Sequence, residues 1–146
     1  EPGNGWAQVT SELAYERSGP ERFLSAFRVF VELVRACGQH PAPHEAAAIG
    51  RIASHIMTMR RMSISVAGML ESSKDVVVEA ALVKELGNNF EKVLPEIARL
   101  AAPISASRGA FRETFEETLL LSPSFTLRGG TREILRGVIA RGLGLR

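Results

Sequence analysis

The chain carries a single cysteine, Cys37, in 146 residues. One thiol excludes an internal disulfide framework and fits a reducing compartment, so a cytoplasmic location is expected. Long apolar runs are missing too. None approaches the roughly 20 residues that a bilayer span requires, so no membrane span is expected. Blocks of like charge are absent: the formal net charge is only +2, and the arginines are dispersed along the chain, which argues against a nucleic-acid groove. His40, His44 and His55 have no Cys, Asp or Glu at a recognised metal spacing, so no metal is expected. The serines at Ser63, Ser65, Ser72 and Ser73 come with neither a nucleophile elbow nor a histidine partner. No internal repeat, low-complexity tract or convincing strand pattern appears. A methionine start is also lacking, and the chain reads as a piece of something longer.

What remains is helix. Alanine, leucine, glutamate and arginine dominate, and all favour it. A first helical segment is expected over about Asn4–Cys37, with Trp6, Val9, Leu13, Phe23, Leu24, Phe27, Val31 and Val34 recurring at near-helical spacing. Pro20 within it lacks the N–H that would bond the Glu16 carbonyl, and Gly19 loosens the same turn, so a kink is expected there. Gly38–Pro43 is a loop, because two prolines and a glycine cannot continue a helix. A second helix is expected over about His44–Ser72, with Ile49, Ile52, Ile56, Met59, Val66 and Leu70 on one side. Its four methionines, Met57, Met59, Met62 and Met69, read as core filler. A third covers about Lys74–Ala102, bent at Pro95, and a shorter one about Ala106–Leu121. Cys37, at a helix end, reads as structural rather than nucleophilic.

The final segment, SFTLRGGTREILRGVIARGLGLR, is the most informative. Gly129-Gly130 supplies backbone freedom, Thr131 is a good N-cap, and Glu133 stands in the first turn of an amphipathic helix carrying Ile134, Val138 and Ile139. Long antiparallel helices joined by short loops make an all-α, up-and-down bundle of four long helices plus a short terminal helix, in one domain of 1–146.

This terminal string resembles the C-terminal signature of acyl-CoA dehydrogenases, through Gly129, Gly130, Thr131, Glu133, Ile134, Arg136, Ile139, Ala140 and Leu143-Gly144-Leu145. Gly5-Trp6 and Leu13-Ala14-Tyr15-Glu16-Arg17 are similar to the opening of that family's C-terminal helical domain, and Lys84 stands at the expected place in the third helix. The resemblance implies a helical bundle. It further implies a longer flavoprotein whose N-terminal helical and central β domains lie outside this chain, so that the fragment alone is inactive. By the same resemblance the cofactor is FAD, the substrate an acyl-CoA oxidised to enoyl-CoA, the electron acceptor electron-transfer flavoprotein or another carrier, and the assembly a homo- or hetero-oligomer.

Site residues follow from the resemblance position by position. One subfamily carries its catalytic base directly before the Gly-Thr of the terminal motif, where this chain has Gly129, which cannot accept a proton. The other carries it in the Leu-x-x-Glu-Arg pattern, where this chain has Glu16; that placement is typical of members acting on branched or bulky acyl groups. Glu16 is therefore the candidate base, a solvated surface carboxylate pairing with nearby arginines being the alternative. Arg17 and Gly130 match substrate-binding positions, although an ordinary exposed arginine is nearly as good a reading of Arg17. Thr131 and Glu133 match FAD-contacting positions, at a helix N-terminus whose free N–H groups favour a phosphate; plain capping is the alternative. Three departures stand out. Arg35-Ala36-Cys37-Gly38 lacks the phenylalanine of the family's Arg-x-x-Phe-Gly, Leu100–Pro103 replaces its Gln-x-x-Gly-Gly-x-Gly, and Ala14 replaces an aspartate two residues before the base. They raise a second reading, a catalytically silent structural subunit of a heteromeric enzyme.

Overall fold

A computed structural model describes residues 3–102 and 109–145. Among these residues the chain is helical throughout, without strands. The helices are α1 (Gly5–Ser18), α2 (Glu21–Leu24), α3 (Phe27–Cys37), α4 (Pro43–Glu71), α5 (Val77–Ala101), α6 (Ala110–Leu121) and α7 (Arg132–Gly142), with a 3₁₀ turn at Ser124–Thr126 between the last two. The all-α expectation holds. The Ala106 start expected for the fourth segment lies outside the described residues.

The expected first helix is in fact three. Gly19 is extended at φ −62°, ψ 161°, and Pro20 has no N–H to continue the ladder, so the chain breaks where a kink was expected. Ser63 of α4 donates its hydroxyl to the Ser18 carbonyl at 2.5 Å, satisfying a helix end that has lost its own donors. A second interruption separates α2 from α3 at Ser25-Ala26. The break also undoes the expected apolar stripe. Trp6 is 79% exposed, while Ala14 and Ser18 are the buried residues of α1. Phe23, Val29 and Leu33 carry the burial further on.

The remaining boundaries follow local chemistry. Gly38, at φ +69°, closes α3. Pro43 opens α4, where the Ala42 N–H donates to the Glu45 carboxylate at 2.6 Å. The Val77 N–H donates to Asp75 at 3.1 Å, which moves the start of α5 three residues past Lys74. α5 continues through Pro95 as one helix.

α5 is the central element, packed by α1, α2, α4 and α7 and touched by α3, α6 and the 3₁₀ turn. Ile52, Ile56 and Met59 of α4 share a core with Phe90, Leu94 and Ile97 of α5, completed by Phe23, Val29, Leu33, Phe111 and Phe115. Val66 of α4 shares a smaller one with Ala80 and Val83 of α5 and with Ala14 of α1. That pairing makes α4 and α5 antiparallel. Of the methionines, Met59 is core at 2% exposure, but Met57 is 59% exposed: it falls on the solvent side of α4, so reading all four as filler was wrong for that one.

Candidate active site

Glu16 and Arg17, near the end of α1, face the glycine turn that precedes α7. Arg17 Nε donates to the Gly129 carbonyl at 2.9 Å across 112 residues of sequence. A Cβ placed on Gly129 would lie 3.0 Å from Glu16 Oε1 and 3.6 Å from Arg17 Cγ. The carboxylate thus fills the space that the missing side chain leaves. Gly129 and Gly130 sit at φ +66° and +110°, conformations in which a Cβ is strained, so glycine is needed here for two independent reasons. Glu16 itself is exposed and Arg17 half-buried. Among the described residues Glu16 makes no ion pair, and its exposure is that of a solvated carboxylate. Burial works against the Arg17 charge, and the adjacent Glu16 carboxylate works for it.

Gly130 joins the same group: its Cβ position would be 3.6 Å from Arg17 Nη2. Glu16, Arg17 and Gly130, three of the five expected site residues, are therefore adjacent. Thr131 and Glu133 follow directly at the start of α7. Thr131 occupies the N-cap position, yet its hydroxyl makes no capping bond to the backbone. The nearby Glu133 backbone N–H and Thr131 hydroxyl draw the exposed Glu133 carboxyl below the usual carboxylate range. Glu133 is thus an anionic side chain beside the N-terminus of α7, whose free N–H groups favour negative charge. What the pair offers is acceptor capacity for hydroxyl or N–H donors. Such donors exist on the ribityl chain and ring of a flavin.

Sequence reasoning missed a second polar group behind the turn. Lys84, Asn88 and Glu91 of α5 are each 0% exposed, and Arg22 of α2 is 1% exposed. Lys84 Nζ donates to the Phe125 carbonyl at 3.0 Å. The Arg128 guanidinium lies 3.5 Å from Glu91 and 5.0 Å from the Phe125 ring centroid. Burial, with Arg22 nearby, lowers Lys84 to about 8, and burial raises Glu91 to about 7 against the pull of Lys84, Arg22 and Arg128. The signal was present in the sequence: Lys, Asn and Glu at i, i+4 and i+7 lie on one helix face, and the neighbouring inward positions Ala80, Val83, Leu94 and Ile97 are apolar.

Other candidates carry no chemistry. Among the described residues no cluster of three metal-ligating side chains exists, and no helix is long and apolar enough to cross a membrane. The Cys37 thiol is pushed up by burial and by Glu45, the opposite of activation. A cleft of about 360 Å³ between the end of α1 and α4 is lined by Tyr15, Ser18, Ser63 and Leu70, on a different flank of α1 from the glycine turn.

No curated protein and no solved structure matches the chain significantly. The family model described as "Acyl-CoA dehydrogenase, C-terminal domain" matches residues 3–144. That span takes in α1, the glycine turn and α7, so the chain belongs to the acyl-CoA dehydrogenase family as its C-terminal helical domain.

Proposed function

We propose that this chain is the base-bearing domain of an FAD-dependent acyl-CoA dehydrogenase, in which Glu16 removes the α-proton of an acyl thioester. The observation that carries the reading is the position of the Glu16 carboxylate against Gly129. In one subfamily the base stands on the residue before the Gly-Thr. Here that residue is glycine, and a carboxylate from α1 reaches the space beside it. The two sequence positions thus deliver a carboxylate to one place.

In the proposed reaction Glu16 accepts the α-proton while the β-carbon loses a hydride and the α–β double bond forms. The flavin, when bound, supplies the hydride acceptor. Thr131 and Glu133, at the start of α7, would hold its hydroxyl or N–H donors. Arg17 ties α1 to the glycine turn, and Gly130 leaves room for the substrate beside it. The β domain expected ahead of this one contributes the rest of the flavin and substrate sites, so the isolated domain is expected to bind no flavin tightly.

General-base removal commonly costs about 10²- to 10⁴-fold in rate. In the complete flavoprotein Glu16→Gln should keep its yellow flavin and bind acyl-CoA, yet fail to bleach when substrate is added. Bleaching at the wild-type rate would give the role to another residue. The silent-subunit reading draws support from the Arg35 region: Arg35 is tied to Glu32 at 2.6 Å, and no phenylalanine stands beside it to reach a neighbouring flavin. A complete protein that carries no flavin and shows activity only with a second subunit would favour that reading.

A further inference from the structure

We propose that Lys84 and Glu91 are positioning residues for the reaction: from inside the bundle they hold residues 125–130 and thereby set where the Gly129 backbone stands opposite Glu16. This rests on the reading of Glu16 as base. The segment is gripped at both ends from α5. Lys84 Nζ holds the Phe125 carbonyl at 3.0 Å, and Glu91 faces the Arg128 guanidinium at 3.5 Å. Arg128 is the residue immediately before Gly129. Arg17 then fixes the Gly129 carbonyl from the α1 side, so the turn is held between two helices.

Stability does not account for this arrangement. Buried ion pairs seldom stabilise a fold more than apolar residues of the same size, and this cluster leaves polar atoms without hydrogen-bond partners: Arg22 Nε and Nη1, both Asn88 amide atoms and both Glu91 oxygens. Elsewhere the buried face of α5 is apolar, with Ala80, Val83, Phe90, Leu94 and Ile97, and its other ionic contact, Glu85 with Arg132 and Arg136, lies at the partly exposed margin toward α7. The polar exception stands where the 3₁₀ turn and the glycine turn pass over α5. Displacements of about 1 Å at a reacting centre can cost on the order of 10²-fold in rate, so a firm hold on this segment bears directly on the base.

The groups facing Glu91 are Lys84 on its own helix, Arg22 of α2, the Ser25 hydroxyl and Arg128. Neutralising Glu91 therefore removes its attraction for Arg128 and leaves that side chain only the Ser25 hydroxyl at 3.4 Å and the Phe125 ring; the raised value of about 7 places the change near neutrality. The test uses the complete flavoprotein with Lys84→Met, Glu91→Gln and Arg128→Met. Flavin content, kcat, KM and amide-exchange protection of residues 126–130 are read at pH 6 and pH 8, with exchange corrected for its intrinsic pH dependence. The expected result is retained flavin, kcat lower by about 10- to 100-fold with KM changed less than about threefold, and lost protection at the turn. Wild-type protection should be higher at pH 8 than at pH 6, because the Lys84 amine still donates to the Phe125 carbonyl when it loses its charge near 8, and Glu91→Gln should abolish the difference. If Lys84→Met does not fold, the other two variants decide. Wild-type kcat in both overturns the proposal, even if protection falls, because the residues would then only support the fold. Should Glu16→Gln bleach normally, the base assignment falls, while the protection and kcat of these variants still decide whether α5 positions the turn.

Discussion

At the scale of single residues, the most constrained position is one without a side chain. Gly129→Ala would place a methyl group 3.0 Å from Glu16 Oε1 at a φ of +66°. A non-glycine residue in left-handed backbone costs about 1–2 kcal/mol, and the carboxylate must also move. The expected outcome is a midpoint shift of that size in urea unfolding, together with a fall in kcat larger than the fall in stability explains. A variant that loses stability but keeps kcat would show that the carboxylate tolerates displacement. The sequence made Glu16 a candidate through Leu13-x-x-Glu16-Arg17 and removed Gly129 as a base because it has no proton acceptor. It could not show that these positions touch, since 112 residues separate Arg17 from the carbonyl it binds and no local periodicity encodes that pairing. Thr131 and Glu133 were placed correctly at the start of a helix.

At the scale of elements, α7 is clamped to α5 by one carboxylate and two guanidinium groups. Glu85 accepts from Arg132 at 2.8 Å and from Arg136 at 2.9 Å; the two arginines stand one helical turn apart. Burial pushes Glu85 up, but the bonds from Arg132 and Arg136 outweigh it and hold the group below the usual carboxylate range. A depressed carboxylate stabilises the fold above its unfolded value, and that contribution is lost as pH falls through the folded value. Glu85→Gln should therefore cost about 1–2 kcal/mol near pH 7, between the range for exposed pairs and that for buried ones. The difference from wild type should begin to shrink as pH falls below about 4.5, where the unpaired carboxylate starts to protonate, and vanish only below the depressed folded value. Unfolding curves across this range check the sign; a difference that grows in acid would refute it. A second element-scale prediction concerns α2 and α5, which meet at Gly87. A Cβ there would stand 2.9 Å from Arg22 Cβ and 3.1 Å from the Arg22 carbonyl, so Gly87→Ala should destabilise by about 1–3 kcal/mol through overpacking, measurable by thermal unfolding. Element positions were largely legible: the Gly38–Pro43 loop and the α4 and α5 spans all follow from proline, glycine and apolar period. The division of the first segment was only half legible, because Gly19-Pro20 announces a break but nothing local announces the turn at Ser25-Ala26.

At the scale of the whole molecule, the bundle closes its core but leaves a group of leucines uncovered. Leu120 is 83% exposed, Leu127 70%, Leu121 47% and Leu119 45%, all from the end of α6 and the 3₁₀ turn beyond it. Scattered exposed leucines are ordinary on a folded surface, but four within nine positions of one connection form a concentrated apolar site, the kind that contacts another domain or subunit. The family's domains assemble through such bundles, and a longer flavoprotein also has a β domain to place. Leu120→Asp separates the two roles of this surface. Because the side chain is largely exposed among the described residues, the change should alter the stability of the bundle by no more than about 0.5 kcal/mol. In the complete protein the same change should weaken association, with light scattering giving a dimer or larger assembly for the wild type and a smaller species for the variant. The measurement should be made on the protein alone and with any subunit encoded beside it, since either a homomer or a heteromer satisfies the expectation. A wild-type protein that is monomeric, flavin-loaded and active under both conditions would sink the idea, and the exposed leucines would then belong to a contact within one chain.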